Sequence, residues 1–170
     1  EQISMMLAIS LSNIKNFYDE KHDKSSFIKN IILDNILPSD IYLKSKELHF
    51  ANDITRVVFL IKFGAKNEII PYDIMQNLFP GKTKDFVISV GENDTVLVKE
   101  VKPYDDVKEI EKIARSIADT ISAEFYTKVS IGIGTVVDNL KDLARSYKEA
   151  QIALEVGKVF DTEKSIISYE

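Results

Sequence analysis

The stretch VSIGIGTVVDNLKDLARSYKEAQIAL, Val129–Leu154, joins a strand to an amphipathic helix and decides the fold. Successive side chains of a strand point to opposite faces, so one face here is apolar and the other carries only Ser130, Gly132 and Gly134. The helix after it repeats apolar residues every three to four positions from Leu140 onward. A face without side chains can accept a closely packed helix or leave space for a ligand. We expect helix packing, because alanines on both long helices suit a close approach of backbones.

Strands and helices also alternate along the chain outside this stretch. Val57–Ile61 is an unbroken apolar run, typical of a central strand covered on both faces. A short helix is predicted to start at Pro71, and DFVISVGENDTVLVKEV reads as a hairpin. Asp105 or Asp106 is placed to cap the next helix, Asp106 having capping-box spacing to Glu109, and Gly157 is placed to end the last one in a left-handed turn. The order from Ile54 is β-α-β-β-α-β-α-β, which predicts an α+β fold with helices packed on a mainly antiparallel sheet.

Helices are predicted ahead of the first strand. One helix carries a candidate coiled-coil seam that consists of Leu7, Leu11, Ile14 and Tyr18. These residues are spaced four, three and four positions apart, as in a coiled coil. The seam would pair two copies of a connector helix in residues 1–23; the alternative is that it packs on its own domain. Ser25 or Ser26 would cap a second helix that runs through Leu37 and ends at Pro38, and a short third helix would start at Ser39 or Asp40. Residues 24–52 are thus a helical segment and residues 53–170 the main domain.

Composition narrows the function classes. The 170-residue chain has a formal net charge of -5, which argues against generic binding to a polyanion such as DNA. It contains no cysteine, which excludes disulfides, thiolate nucleophiles and cysteine-ligated zinc and suits the cytoplasm. No apolar run is long enough to cross a bilayer, so no membrane contact is expected. His22 and His49 lack a nucleophilic partner nearby and are expected to be surface residues.

Three segments carry a family resemblance. VSIGIG, followed by a helix ending in ALEVGK, resembles the GGDEF domains of diguanylate cyclases. SYKEAQIALEVG, Ser146–Gly157, is more similar to the GGDEF-like domain of the CdaR/PucR family of bacterial transcriptional regulators. FIKNIILDNILPSDIYLKSKELHF resembles the helical segment before that domain, and some regulators related to the AraC group carry a similar module.

The resemblance implies a place in a larger regulator. The module would be a homodimer between an upstream sensory domain and a downstream helix-turn-helix domain. DNA would be contacted through that missing C-terminal domain, and a small-molecule effector through a missing N-terminal one.

Cyclase chemistry requires carboxylates that hold magnesium against the nucleotide phosphates. In active relatives one acid ends the first strand and another lies in the hairpin turn. Here no acid lies between Asp53 and Glu68, and Lys62 stands where a ligand would be needed. The signature residues of that turn are replaced here by four residues that suit an ordinary turn: Gly91, Glu92, Asn93 and Asp94. The alternative is that these residues keep a residual divalent-ion site.

We therefore expect no catalytic residue, no metal and no cofactor, and a regulatory module that is not an enzyme. Two alternatives stay open: an active nucleotide cyclase, and a sensor that binds a nucleotide or another small molecule.

Overall fold

A computed structural model describes residues 22–64, 70–79, 84–160 and 165–169 of the chain. Residues 22–32 form the described part of helix α1. The other elements follow in chain order: α2 Pro38–Glu47, β1 Arg56–Phe63, α3 Pro71–Leu78, β2 Phe86–Ser89, β3 Asp94–Glu100, α4 Val107–Phe125, β4 Val129–Ile133, a 3-10 turn Leu140–Asp142, α5 Leu143–Phe160 and β5 Ile166–Ser168. The predicted element order from β1 onward is confirmed.

The strands of the described chain form one mixed sheet in the order β2-β3-β1-β4-β5. β1 pairs antiparallel with both β3 and β4, while β5 runs parallel to β4. Every residue of β1 except Lys62 is buried, as its unbroken apolar run predicts for a central strand.

Helices cover both faces of this sheet. Apolar residues of α1, α2 and α5 pack on the face that carries Val58 and Leu60. Those of α3 and α4 pack on the opposite face, which carries Phe59 and Ile61. The α+β prediction is confirmed. Within the described residues, no helix has the length and apolar character to span a bilayer.

The helices before β1 differ from the prediction. Residues 22–32 are already helical across Ser25 and Ser26, so neither serine starts α1. The helix ends at residue 32 rather than 37, and Asp34 adopts a left-handed backbone with φ of 60°. Pro38 begins α2 instead of ending α1, because a proline in the first helical turn needs no backbone hydrogen-bond donor. The predicted seam, Leu7, Leu11, Ile14 and Tyr18, lies outside the described residues.

Helix ends later in the chain follow local chemistry. Of the two predicted caps, Asp106 is the one that caps α4, by accepting a hydrogen bond from the backbone N–H of Glu109. Asn139 accepts in the same way from Asp142 at the 3-10 turn that leads into α5. The prediction for Gly157 is wrong: α5 continues to Phe160, and no described glycine has positive φ. A side chain at Gly157 would overlap Ile167 of β5, so packing explains this glycine.

Candidate functional site

The exit of β1 and the hairpin turn, where a cyclase would hold its metal, lie side by side. The backbone N–H of Phe63 donates a 2.9 Å hydrogen bond to the carbonyl of Asn93. Lys62 is the direct cross-strand partner of Asp94 on one side and of Ser130 on the other. Directly paired residues project from the same face of a sheet, so an ammonium group and the first carboxylate of β3 share one face.

The turn itself is closed by two hydrogen bonds to backbone carbonyls. The N–H of Val90 donates to the carbonyl of Asp94 over 3.2 Å, and the Ser89 hydroxyl donates to the carbonyl of Gly91 over 3.4 Å. Glu92 is exposed, and Asp94 is half-buried as the first residue of β3. In the ranges that the structure describes, no three His, Cys, Asp or Glu side chains form a group that could hold a metal ion.

Tyr147 of α5 lies over the same face. Burial raises the pKa of its phenol above the usual value, and the negative charge of Asp94 adds to the effect. Its hydroxyl accepts a 3.2 Å hydrogen bond from the Gln151 amide. Asp94 is therefore near the helix that covers the sheet as well as near the turn.

Helix α5 packs on the glycine face of β4, the side of the strand that carries Ser130 and Gly132 and continues to Gly134. A methyl group on Gly132 would overlap the Ala150 carbonyl oxygen and lie 2.7 Å from Leu154 Cγ. One on Gly134 would overlap the Ser146 carbonyl oxygen. The absent side chains make room for the backbone of a helix, and no space for a ligand remains between the two glycines and α5.

A cleft of about 410 Å³ opens beyond the end of this contact. It lies where the end of β1, the start of β4 and the last turns of α5 converge, and Ile167 of β5 forms part of its wall. Its polar lining consists of Lys62, Lys128, Lys158 and Ser130, together with the backbone of Gly64. Sequence reasoning noted only Lys62, because the three lysines are far apart along the chain.

A comparison with family models matches residues 34–156 to the GGDEF-like domain. The chain belongs to the GGDEF-like domain family. No curated protein matches the chain. The match begins before α2 and ends within α5, so it includes β1, the hairpin and the glycine strand.

In this GGDEF-like domain, the SYKEA segment joins helix to sheet through buried polar groups. The Ser146 hydroxyl accepts a 3.4 Å hydrogen bond from the N–H of Val58 and donates a 2.8 Å bond to the carbonyl of Thr135. The Thr135 hydroxyl donates to the carboxylate of Glu149, which is also buried. Sequence reasoning used this motif only for its resemblance. The signal it missed was a serine and a glutamate three residues apart on the apolar side of a helix.

The histidines lie away from this site. His22 is at the described start of α1, beside Asp23, and His49 follows α2. Both are exposed, as expected.

Proposed function

We propose that this GGDEF-like domain is a non-catalytic regulatory and dimerisation module of a CdaR/PucR-type transcriptional regulator. It would act in the cytoplasm and couple an upstream sensor to a downstream DNA-binding domain. The observation that carries the proposal is the position of Lys62, opposite Asp94 at the exit of the central strand.

The charge of Lys62 opposes magnesium binding at this place. Side chains of directly paired residues start about 5 Å apart. If a divalent cation at the Asp94 carboxylate came within about 5 Å of the Lys62 ammonium group, the repulsion would be roughly 7 kcal/mol at an effective dielectric constant of about 20. Glu92 and Asp94 would have to overcome that repulsion. Because Glu92 is exposed, water and salt would screen much of its attraction to the metal. A domain that cannot hold the metal can still transmit a change in subunit geometry.

The regulator assignment is supported by the segment Ser146–Gly157. Its resemblance to the CdaR/PucR pattern coincides with the contacts that fix α5 on the sheet, through Ser146, Glu149 and Gly157. The helices α1 and α2 ahead of β1 match the helical segment that the resemblance also implies. A helical entry packed on the sheet suits a module that receives a signal from its N-terminal side.

Dimerisation through the connector is tested by analytical ultracentrifugation of the whole chain. We expect the wild type to sediment as a dimer and the double variant Leu7→Glu, Leu11→Glu as a monomer. Leu37→Glu is the matched control, because Leu37 is 67% exposed beside α2 and its substitution should leave the dimer intact. A monomeric wild type, or a double variant that remains a dimer, would remove the connector from the proposal.

A further inference from the structure

We propose that the outer face of α5 pairs with the same face of a second copy of this chain, with the two helices antiparallel and centred on Ile152. The inference rests on the dimer proposed above and deepens it, because it names a contact that the main domain would supply in addition to the connector. The outer face is the exposed side of α5 that carries Lys148, Ile152, Glu155, Val156 and Val159.

Three apolar side chains lie exposed along this face. Ile152, Val156 and Val159 are 45%, 47% and 77% exposed. They are spaced four and three positions apart, so they form one stripe along the helix. The opposite side of α5, which carries Ala150 and Leu154, is buried on the sheet. The helix therefore has a second apolar side that its own described domain does not cover.

Helix stability does not explain the stripe. Isoleucine and valine branch at Cβ and favour a helix less than alanine, lysine or glutamate do. The long helix on the other face of the sheet shows the alternative. Apart from Val107 at its start, the exposed side of α4 carries small or polar residues such as Lys112, Arg115 and Asp119. Adjacent exposed apolar residues on α5 favour a contact with another surface.

The charges beside the stripe fit a second copy of the same helix. Lys148 is four positions before Ile152, and Glu155 is three positions after it. In an antiparallel pair with its two-fold axis at Ile152, Lys148 of each copy lies opposite Glu155 of the other. In a parallel pair, lysine would meet lysine and glutamate would meet glutamate. The charge pattern is thus self-complementary in the antiparallel orientation alone.

The present contact of Lys148 does not oppose this pairing. Its ammonium group lies 3.8 Å from the carboxylate of Asp34, and both side chains are more than half exposed. An ion pair between exposed side chains contributes little to stability, so Lys148 can exchange Asp34 for Glu155 of a second copy at little cost.

The face is small, which explains why it would act together with the connector. A stable interface uses roughly 20–30 residues per partner, far more than one side of this helix offers. Once the connector holds two copies together, the α5 contact forms at a high effective concentration, so weak pairing is sufficient. A contact between identical faces has a two-fold axis, which can be the axis that relates the two connectors. The α5 pair would then fix the relative orientation of the two main domains.

The test is disulfide crosslinking of the whole chain with the variant Ile152→Cys. The chain contains no cysteine, so every disulfide comes from the introduced residue. Helix axes about 8–10 Å apart bring facing Cα atoms within the roughly 7 Å that a disulfide can span. Val107→Cys is the matched control, because Val107 is 36% exposed, is also β-branched and lies on α4, on the other face of the sheet. Mild oxidation should form the covalent dimer at least about tenfold faster with Ile152→Cys than with the control.

An exchange of charges tests the orientation. In the Ile152→Cys chain, Lys148→Glu should slow the crosslink about threefold or more, because two glutamates then face each other across each symmetric contact. Adding Glu155→Lys should restore the rate. Both variants lack the pair with Asp34, so that pair cannot explain a difference between them. Unchanged thermal melting under reducing conditions would show that the variants are folded.

Equal crosslinking rates for Ile152→Cys and Val107→Cys would overturn the proposal, since random collision would then explain both. A rate that Glu155→Lys does not restore would overturn the antiparallel pairing. These results are distinct from the sedimentation test of the connector. A chain that sediments as a dimer without the preferred crosslink would keep the proposed function and overturn the α5 contact. A chain that sediments as a monomer but still forms the preferred crosslink would support the α5 contact and remove the connector.

Discussion

Substitution of Gly132 by alanine tests whether the glycine face exists to admit α5. The new methyl group would overlap the Ala150 carbonyl oxygen and lie 2.7 Å from Leu154 Cγ and 3.2 Å from the Ala150 carbonyl carbon. Two of these atoms belong to the helix backbone, so no side-chain rotation can relieve the overlap. The helix must shift away from β4, which loosens contacts of buried α5 residues such as Tyr147 and Leu154.

Overpacking of this kind costs about 1–3 kcal/mol, and the backbone partner places Gly132→Ala near the upper end. Replacing glycine also stiffens the unfolded chain, which offsets the cost by about 0.4–1 kcal/mol. We expect a net loss of roughly 2 kcal/mol in the free energy of unfolding. For a domain of this size, that lowers the melting temperature by about 4–8 °C.

Urea denaturation followed by circular dichroism measures the change, with Gly91→Ala as the matched control. A methyl group on Gly91 would meet its nearest neighbour, Asp94 Cβ, at 3.6 Å, which is ordinary contact. Its backbone also lacks positive φ, so the control should be within about 1 kcal/mol of the wild type. If Gly132→Ala were as stable as Gly91→Ala, the contact between β4 and α5 would not explain the glycine face.

Two further predictions concern α5. Ser146→Ala should lower the free energy of unfolding by about 1–3 kcal/mol in urea denaturation, because the Val58 N–H and the Thr135 carbonyl both lose a buried partner. Ser116→Ala, on the exposed side of α4, is the control. An equal effect of the control substitution would contradict the role of Ser146. Burial raises the pKa of Tyr147 above its ordinary value of 10.0, so its contribution to stability is complete below pH 10.0 and is lost as pH rises through the folded-state pKa. Stability measured between about pH 9 and 11 should therefore fall more steeply in the wild type than in Tyr147→Phe, and parallel curves would show that the phenol is not the cause.

The sheet was predictable because its signals are local. The apolar run Val57–Ile61 is short and rich in branched and aromatic residues, which favours a strand covered on both faces. The alternation in Val129–Gly134 placed the glycines on one face. The helices before β1 were less predictable. A proline is compatible with the end of one helix or the first turn of the next, and the left-handed Asp34 that separates α1 from α2 has no distinctive sequence signal.

The candidate site was likewise predictable only in part. The lysine at the exit of β1 and the altered turn were visible in the sequence, because each occupies one short segment. The lysine cleft was not, since it needs the register that places Lys62 beside Ser130 and the contact of α5 that brings Lys158 to them. The role of Gly157 was missed for the same reason, because its neighbour Ile167 comes from a strand beyond the helix.

The most direct test of a non-catalytic domain is to incubate the whole chain with magnesium and GTP or ATP and to separate the nucleotides by chromatography. We predict that both triphosphates are recovered unchanged, because Lys62 repels the metal at the place where the chemistry requires it. Formation of a cyclic or hydrolysed nucleotide by the wild type, abolished in Asp94→Ala, would contradict this and show that the domain is an enzyme.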